Sequence, residues 1–360
     1  MSAKFYPLKV KDVREETSSC VSVAFELNGI DPSIFDFDAG QYITLKKSID
    51  GEEVRRSYSL CSSPGEKEIR VAIKKVIGGK FSTYANEELE PGTVINVMPP
   101  QGNFKRKESA KAESYVAFAA GSGITPVISL IKDILGNDPN AEIILVYGNK
   151  STDQIIFKEQ LESLKNKYLD RLQIIYVLSQ EVQESPLFTG RIDKKKVSAF
   201  AKYFFKPEEI DQYFVCGPEP MIWSVKEQLE EIGIDEEKIS FELFNSTITA
   251  EKHASYTGSL KEEEAENVSE VTVILDGRQF QFPLGYKGNS ILDAALKTGA
   301  DLPFACKGGV CSTCKAKLLE GDVEMEVNYA LEPDEVESGF ILTCQSHPRT
   351  PSVKVDYDVS

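Results

Sequence analysis

Four cysteines in the last fifth of the 360-residue chain have a spacing that could hold a metal centre. Cys306, Cys311 and Cys314 follow the pattern C-x4-C-x2-C, and Cys344 comes 30 positions later. This spacing is typical of the plant-type [2Fe–2S] cluster, in which four thiolates hold two irons. Glycines at positions 308–309 allow a tight loop and let backbone N–H groups approach the sulfurs. The pattern therefore predicts a redox centre that takes one electron at a time.

Zinc is the alternative metal for these thiols. Closed zinc sites usually combine two separated C-x2-C pairs, whereas three of these four cysteines lie within nine residues. A Rieske centre needs two histidine ligands. Neither histidine of the chain, His253 or His347, lies in a cysteine-paired motif. The sequence favours the [2Fe–2S] cluster and leaves zinc as the remaining possibility.

Two segments in the first quarter of the chain suit a flavin. Arg56–Ser59 (RSYS) offers a cation for phosphate, an aromatic face for the isoalloxazine ring and a hydroxyl for the region of its N5. Gly78–Ser82 (GGKFS) is a glycine-rich turn before a predicted helix, whose N-terminal N–H groups could hold a pyrophosphate. If the first segment stood alone, an ordinary strand would explain it more often than a flavin site would.

Two further segments suit a nicotinamide nucleotide. Gly121–Pro126 (GSGITP) follows a predicted strand and opens a predicted helix with proline in its first turn. Its glycines allow a dinucleotide phosphate to approach, although proline replaces the third glycine of G-x-G-x-x-G. Val215–Pro218 (VCGP) ends another predicted strand, at the edge where open α/β sheets bind ligands. A buried structural thiol is the alternative interpretation of Cys216.

The elements that must position these motifs change along the chain. Short strands divided by turns over residues 4–107 predict an antiparallel β-barrel that binds the flavin. Alternating strands and helices over residues 111–245 predict an α/β domain with a parallel sheet, including a helix over Ile155–Tyr168. Residues 246–268 lack an apolar period and predict a solvated linker. Residues 269–358 predict a compact α+β, β-grasp-like domain around the cysteines.

Composition and charge exclude several classes of protein. The 57 acids and 41 bases give a net charge of −16, which repels phosphate backbones and argues against a nucleic-acid partner. The most apolar stretch, Tyr115–Ile131, is interrupted by Gly121, Gly123 and Pro126, so no membrane span is expected. The N-terminus lacks a signal-peptide pattern. These features predict a cytoplasmic protein, whose thiols stay reduced.

The motifs R-x-Y-S, GG-x-x-S, G-x-G-x-T-P and C-G-P, in this order, resemble those of the ferredoxin–NADP reductase superfamily. Here a C-terminal ferredoxin domain is appended. With the runs CKGGVCSTCKAK and MEVNYALEPDEVESGFILTCQ, the chain from about residue 4 to 358 is similar to the reductase subunits of phenylacetyl-CoA epoxidases. Phenol, phthalate and ketosteroid oxygenase reductases share parts of this design. The resemblance implies an oxidoreductase that passes electrons from NADPH through FAD and the [2Fe–2S] cluster to a di-iron oxygenase.

The resemblance also implies a set of cofactor-binding residues. Those expected to contact the flavin and its phosphates are Arg56, Ser57, Tyr58, Ser59, Gly79, Lys80, Phe81 and Ser82. Those expected to border the nicotinamide nucleotide are Gly121, Gly123, Thr125, Pro126, Cys216, Gly217 and Pro218. Ser59 and Cys216 are the candidate catalytic residues. Phe244 is expected either to replace the terminal aromatic residue that covers the flavin in free-standing ferredoxin reductases, or to be a core residue at a strand end.

The choice of coenzyme can be predicted from the end of one strand. Asn149, Lys150 and Ser151 follow the predicted strand Ile143–Gly148, and no acid comes before Asp153. An acid at this place commonly holds a ribose 2′-hydroxyl, whereas a basic residue suits a 2′-phosphate. The sequence therefore favours NADPH, with Lys150 as the contact, and leaves NADH possible. A solvated loop lysine is the alternative for Lys150.

The acidic C-terminal domain predicts how the partner docks. Residues 269–360 hold 14 acids and 8 bases. Complementary charge speeds the brief encounters that electron transfer needs, so a basic patch is expected on the partner, facing acids such as Glu324 and Glu326. Two other functions stay open. The acceptor could be another oxygenase or a desaturase, or the chain could be an electron carrier with an inactive flavin domain, against which the intact R-x-Y-S and G-x-G-x-T-P motifs argue.

Overall fold

The computed structural model describes residues 4–107, 113–244 and 267–359. Contacts divide the chain into two compact units. The larger takes in Tyr6–Val54 and Tyr58–Leu243, and the smaller takes in Met1–Phe5, Arg55–Ser57 and Phe244–Ser360. The predicted linker, residues 246–268, lies outside the described residues except for its last two positions. None of the helices within the described ranges has both the length and the hydropathy needed to cross a membrane.

The larger unit begins with a six-stranded antiparallel sheet and one helix. The elements are β1 Tyr6–Thr17, β2 Cys20–Glu26, β3 Tyr42–Ile49, β4 Glu52–Ser59, β5 Ile69–Lys74, α1 Lys80–Glu87 and β6 Val94–Gln101. The strand order is β4-β3-β6-β1-β2-β5, and an antiparallel bridge between Leu60 and Val71 joins its two edges. Alternation along β1 directs Leu8 and Val10 into the core and the charged residues outward. The predicted antiparallel barrel is confirmed.

A parallel α/β sheet completes the larger unit. Its elements are β7 Ser114–Ala120, α2 Ile124–Asn137, β8 Glu142–Asn149, α3 Lys158–Lys167, β9 Leu172–Leu178, α4 Lys194–Tyr203, β10 Gln212–Cys216, α5 Glu219–Glu231 and β11 Ile239–Glu242. The order is β11-β10-β7-β8-β9, and every pair is parallel. The loops after β7, β8 and β10 therefore begin at one carboxyl edge. The predicted fold class is confirmed here as well.

The start of α3 differs from the prediction of a helix over Ile155–Tyr168. The helix begins at Lys158, and the three residues before it form a turn. Ile155 and Ile156 are buried, and Phe157 is buried in the left-handed conformation with a φ of 61°. The apolar run therefore packs into the core as a turn, because its burial outweighs the cost of a left-handed phenylalanine.

Helix α2 is hydrogen-bonded from the parallel α/β sheet to the barrel within the larger unit. The Ser129 hydroxyl donates to the carbonyl oxygen of Ser62 at 2.6 Å, and the Lys132 ammonium donates to that of Cys61 at 2.9 Å. Both carbonyls lie just after β4, which carries the RSYS motif. One helix therefore begins at the GSGITP loop and is bonded to the segment that follows the flavin-type motif.

The smaller unit is an α+β domain. Its elements are β12 Val268–Leu275, β13 Arg278–Gly285, α6 Ile291–Lys297, β14 Lys315–Glu320, β15 Val323–Met325, α7 Pro333–Glu337, β16 Phe340–Leu342, β17 Ser346–Pro348 and β18 Ser352–Asp356. Five strands form a mixed sheet in the order β13-β12-β18-β14-β16, and β15 pairs with β17. Helix α6 buries Ile291, Leu292 and Ala295 in the core. The long loop between α6 and β14 carries three of the four clustered cysteines.

Candidate redox sites

The structure brings the four predicted cluster cysteines together as two pairs. Cys306, Cys311 and Cys314 lie in the loop before β14, and Cys344 follows β16. The side chain of Cys311 lies beside that of Cys306, and the side chain of Cys344 lies beside that of Cys314. Cys306 is partly exposed, whereas the other three thiols are buried. All four come from two segments that meet at one end of the smaller unit.

Backbone N–H groups surround the thiol of Cys306. The N–H of Gly308 donates to its sulfur at 3.2 Å. The neighbouring Cys311 side chain and the N–H groups of Gly308 and Val310 lower the pKa of Cys306 to about 6, although burial acts in the opposite direction. The thiolate is the form that ligates iron. The loop backbone is therefore arranged to stabilise negative charge on sulfur.

Two contacts fix the shape of this loop. Gly309 has a φ of 70°, and a Cβ atom there would lie 2.8 Å from the carbonyl oxygen of Val327, so only glycine fits. The Gln345 amide donates to the carbonyl oxygens of Lys307 and Cys344, each at 3.0 Å. The segment that carries Cys344 is thereby bonded to the loop that carries the other three cysteines.

The arrangement of the thiols fits two irons better than one zinc. A closed zinc site needs four ligands around one ion. A [2Fe–2S] cluster instead divides its four thiolates between two irons. Two thiol pairs on one loop and one neighbouring segment match the second arrangement.

Ser59, Cys216 and Glu242 meet in the larger unit. The Ser59 hydroxyl donates to Oε2 of Glu242 at 2.9 Å. Glu242 ends β11 beside Cys216, which ends β10, and the two residues are register partners. Burial raises the pKa of Glu242 to about 8, against the opposite effect of the Ser59 hydrogen bond. Burial and the nearby Glu242 also raise the pKa of Cys216 well above that of a free thiol.

Sequence reasoning missed Glu242. Within the segment FELFN the sequence predicts a role only for Phe244, which lies two residues after Glu242 and is partly buried. The available signal was an acid inside a short apolar strand, which is costly unless the carboxyl group is neutral or paired. That signal becomes meaningful only because β11 pairs with the strand that ends at Cys216.

The residues predicted to bind the flavin phosphates differ in which groups their side chains contact. Ser82 accepts the N–H of Val76 at 3.1 Å and donates to the carbonyl oxygen of Gly79 at 3.2 Å, which closes the turn before α1. Gly79 caps α1 without a side chain, so the first N–H groups of the helix are left for an anion. Phe81, predicted to line phosphates, has its ring buried against Tyr58 in the barrel core. Only the backbone of Phe81 can serve that role.

The remaining residues of this set are more exposed. Arg56 is exposed on β4 and donates to the carbonyl oxygen of Arg55 at 2.7 Å. Ser57 is partly buried on the same strand. Lys80, in the first turn of α1, forms an ion pair with Glu52. Both Arg56 and Lys80 keep their cationic groups near the surface, where an anionic group can approach them.

The two glycines of the GSGITP loop have different structural roles. Gly121 has a φ of 54°. A Cβ on Gly123 would lie 2.1 Å from the carbonyl oxygen of Cys216, so this glycine lets the loop pack against the end of β10. Thr125 donates to the carbonyl oxygen of Ser122 at 3.0 Å and is buried, so its side chain shapes the loop. Of the two glycines, Gly121 is the one that leaves open space for a phosphate.

Pro126, Gly217 and Pro218 also shape the backbone around this loop. Pro126 is buried in the first turn of α2, and Pro218 caps α5. A Cβ on Gly217 would lie 2.7 Å from Cε of Met221 and 3.1 Å from the backbone nitrogen of Ala120. These residues allow β7 and β10 to end side by side at the carboxyl edge of the parallel sheet.

Lys74, which sequence reasoning also missed, lies at this edge. It ends β5 of the barrel, and its ammonium group is 3.5 Å from the position that a Cβ on Gly121 would occupy. Burial lowers the pKa of Lys74, and the charge of nearby Lys150 acts in the same direction. Lys74 therefore faces the open side of Gly121, and Lys150 lies close enough to Lys74 to act on its charge. A lysine ending the apolar strand IRVAIK was the only sequence signal.

One of the two predicted docking acids is wrong. The Glu326 side chain is only 10% exposed, and its Oε1 lies 2.9 Å from Nε2 of His347 in the interior of the smaller unit. Glu324 is exposed but forms an ion pair with Arg349. β15 ends at Met325, so Glu326 lies beyond the strand and its side chain turns inward to His347 instead of sharing the outward face of Glu324. Glu320 and Asp322 are exposed and are better candidates.

Comparisons with known proteins match three families of domains to three parts of the chain. The oxidoreductase FAD-binding domain family matches residues 7–106, and the oxidoreductase NAD-binding domain family matches residues 118–227. The 2Fe-2S iron-sulfur cluster binding domain family matches residues 273–349. Ser59 and Lys74 lie within the first match, Gly121 and Cys216 within the second, and the four clustered cysteines within the third.

Curated relatives match over nearly the whole chain. One subunit of the 1,2-phenylacetyl-CoA epoxidase of Escherichia coli (strain K12) is 42% identical over 98% of both chains. The ferredoxin reductase component of 3-ketosteroid-9-alpha-monooxygenase from Rhodococcus rhodochrous is 33% identical over 97% of this chain and 96% of the relative.

Solved structures share the fold. Phthalate dioxygenase reductase superimposes with a TM-score of 0.61 at 22% identity over 98% of both chains. An intact type IV self-sufficient cytochrome P450 monooxygenase superimposes with a TM-score of 0.70 at 21% identity, over 98% of this chain and 41% of that one. The curated relatives match over nearly the whole chain, and the three domain families match in the same order. The chain therefore belongs to the family of oxygenase reductase components that combine FAD-binding, NAD-binding and [2Fe–2S] ferredoxin domains.

Proposed function

We propose that the protein takes electrons from NADPH and delivers them one at a time to the di-iron oxygenase component of a phenylacetyl-CoA epoxidase. The observation that carries the reductase function is the combination, in one chain, of the Ser59–Glu242–Cys216 group, the cationic edge at Gly121 and four paired thiols. The identity of the oxygenase rests on the 42% identity with the Escherichia coli epoxidase chain over 98% of both sequences.

The residues around each cofactor have distinct roles in this proposal. When bound, FAD accepts a hydride from the nicotinamide, and the [2Fe–2S] cluster carries single electrons. The N-terminus of α1 at Gly79 would hold the flavin phosphates, and Ser59 would face the ring. Lys74 and Lys150 would neutralise the phosphates of the coenzyme. Cys306, Cys311, Cys314 and Cys344 would hold the cluster.

Glu242 keeps a proton beside Ser59 at neutral pH in this proposal. Its pKa of about 8 means that the buried carboxyl group is mostly neutral at pH 7. A neutral carboxyl group can exchange donor and acceptor roles with the Ser59 hydroxyl, whereas a carboxylate can only accept. Cys216 borders the same space and, because burial keeps its thiol protonated, adds no charge there. The three groups orient the reacting rings and need no histidine.

We propose the cytoplasm as the location. All seven cysteines are free thiols, including the buried Cys20 and Cys61 of the barrel. Free thiols are the normal state in a reducing compartment, and the proposed cluster needs four of them. A cytoplasmic acyl-CoA substrate of the partner would agree with this location.

The function can be tested by reconstitution. The purified protein, loaded with FAD and iron–sulfur cluster, would be mixed with the di-iron component of a phenylacetyl-CoA epoxidase from the same organism, phenylacetyl-CoA and NADPH. We expect NADPH oxidation coupled to epoxide formation. Reduction of cytochrome c without coupling would identify a different oxygenase or a desaturase as the acceptor. Failure of NADPH to reduce either the flavin or cytochrome c would favour an electron carrier with an inactive flavin domain.

Replacing Lys150 with alanine should reduce the preference for NADPH. Loss of a charged contact to the 2′-phosphate should lower kcat/KM for NADPH by about tenfold and leave that for NADH nearly unchanged. Lys74→Ala should weaken both coenzymes equally, because the diphosphate is common to them. Steady-state kinetics of flavin reduction with each coenzyme measure both effects.

An exposed lysine at the other edge of the sheet provides the control for this pair. Lys167 ends α3 and is exposed, so Lys167→Ala should leave both coenzymes unaffected. An unchanged ratio of NADPH to NADH efficiency in Lys150→Ala would remove Lys150 from the 2′-phosphate site.

Reversing two exposed acids of the smaller unit should slow docking with the oxygenase. The double variant Glu320→Lys, Asp322→Lys should lower the coupled rate by about tenfold at low salt, because complementary charge accelerates encounter. The difference from the wild type should shrink as salt rises, since the screening length is about 8 Å at physiological ionic strength. Coupled turnover across a series of salt concentrations measures this.

The matched control reverses two exposed acids of the larger unit. Glu88 and Glu90 follow α1 and are both exposed. The Glu88→Lys, Glu90→Lys variant changes net charge by the same amount and should keep most of the coupled rate. Equal slowing by both double variants would indicate a general charge effect, and no slowing by either would argue against electrostatic docking through Glu320 and Asp322.

A further inference from the structure

A buried tyrosine hydroxyl joins two loops at the carboxyl edge of the parallel sheet. Tyr147 lies on β8, and its side chain is fully buried. Its Oη donates to the carbonyl oxygen of Gly121 at 2.9 Å. Burial raises the pKa of this hydroxyl, while the Asn149 side chain and the N–H of Ile156 lie close enough to act in the opposite direction. The hydroxyl thus sits where the loops after β7 and β8 meet.

This bond determines which way one peptide group faces. Gly121 has a left-handed φ of 54°, and its carbonyl oxygen also accepts the N–H of Ile124. Because a trans peptide holds its C=O and N–H in opposite directions, a carbonyl turned inward to Tyr147 turns the N–H of Ser122 outward. The ammonium of Lys74 lies on the Cβ side of Gly121, at the open face of the loop.

We propose that the Tyr147 hydroxyl is a positioning group for the coenzyme. It holds the peptide between Gly121 and Ser122 so that the Ser122 N–H faces the diphosphate of NADPH, next to Lys74. This inference rests on the proposed function, because it requires the coenzyme at this edge. The Tyr147 side chain is fully buried and its hydroxyl is bonded to the carbonyl oxygen of Gly121, so it would act through the loop.

The chemistry of the site supports orientation rather than packing as the reason for a tyrosine. The ring already packs in the core, with its centroid 6.3 Å from that of Tyr176. Phenylalanine would fill the same space without the cost of burying a hydroxyl. The hydroxyl adds one directed bond, and that bond ends on the one residue of the loop that has both a positive φ and open space in front of it.

The variant Tyr147→Phe tests the proposal in the full-length protein loaded with FAD and cluster. We expect KM for NADPH to rise about 5- to 10-fold with kcat nearly unchanged, which is the loss of roughly one hydrogen bond. The dissociation constant of NADP⁺, measured by calorimetry, should rise by the same factor. Flavin reduction by 1-benzyl-1,4-dihydronicotinamide, a hydride donor without phosphate, should keep the wild-type kcat/KM.

Tyr213 provides a matched control in the same sheet. It is fully buried on β10, and its hydroxyl donates to the carbonyl oxygen of Pro207 at 3.2 Å, before the amino end of the strand. Tyr213→Phe removes a comparable bond far from the coenzyme edge. We expect a similar loss of thermal stability but unchanged NADPH kinetics and NADP⁺ affinity.

Three other results would overturn the proposal. Unchanged NADP⁺ affinity in Tyr147→Phe would show that the hydroxyl does not orient the loop. Equal losses with NADPH and with the phosphate-free donor would indicate general damage to the site, as would equal effects in both tyrosine variants. Failure of wild-type protein to bind NADP⁺ would overturn the proposed function itself, and this is recognisable because it appears before any substitution.

Discussion

Replacing Cys344 with serine should remove the iron–sulfur cluster and stop delivery of electrons to the oxygenase. Its side chain lies beside that of Cys314, and the three cysteines outside the cluster motif, Cys20, Cys61 and Cys216, belong to the larger unit. Iron content should fall from about two per chain to near zero. Reduction of ferricyanide by NADPH through the flavin should persist, because the FAD-binding and NAD-binding domains lie in the larger unit.

The measurements are iron analysis, the visible spectrum and the two electron-acceptor assays on the same preparation. Cys20→Ser serves as the control, because Cys20 is a buried thiol of the barrel and should leave iron content unchanged. A normal cluster spectrum in Cys344→Ser would mean that the fourth ligand has been misassigned. Zinc in place of iron in wild-type protein prepared without oxygen would reject the cluster itself.

Replacing Glu242 with glutamine should abolish a pH dependence centred near pH 8. Glutamine mimics the neutral carboxyl group and cannot ionise. The rate of flavin reduction by NADPH should change in the wild type as pH rises through about 8, where Glu242 loses its proton and the bond with Ser59 changes. In Glu242→Gln that step should be absent, which stopped-flow reduction between pH 6 and 9 measures.

The same group predicts how stability changes with pH. The folded protein holds the Glu242 proton more tightly than the unfolded chain, because the pKa rises from 4.5 to about 8. Its contribution to stability is therefore fully present below about pH 4.5 and is lost as pH rises through about 8. The loss is on the order of 3–5 kcal/mol.

Comparing variants isolates that contribution. The free energy of unfolding of Glu242→Gln should increase relative to that of the wild type between about pH 5 and pH 8, because only the wild type loses stability over this range. The exposed Glu90→Gln should show no such trend. A difference between Glu242→Gln and wild type that stays flat across this range would show that the carboxyl group is already ionised in the folded protein.

The motifs that could be predicted from sequence are those in which one short segment carries the whole requirement. The spacing of Cys306, Cys311 and Cys314 is set by the size of the proposed cluster, so it is visible without the fold. Gly121 and Gly309 are also local requirements, because each has a positive φ. The parallel sheet could be predicted from alternating strands and helices, because the hydrophobic periodicity that indicates each element lies within a single segment.

The site residues that the sequence does not predict are those whose role depends on a neighbour from a distant part of the chain. Glu242, Lys74 and Tyr147 each lie on apolar strands, and each becomes chemically significant through a residue far away in the chain. Phe81 and Glu326 show the converse. Local sequence predicts both as exposed site residues, but whether a side chain points inward or outward depends on what packs against it. Local sequence does not specify that direction when both faces of a segment carry mixed residues.

The two hydrogen bonds from α2 to the barrel limit how this reductase can be recombined with others. Ser129 and Lys132 belong to the coenzyme domain, whereas the carbonyls of Ser62 and Cys61 belong to the flavin domain. A chimaera joined between residues 107 and 113 would place a foreign helix against these carbonyls and would preserve the bonds only if the donor had matching side chains. Both domains transferred together would bring their own contacts, so the pair is the natural unit of exchange.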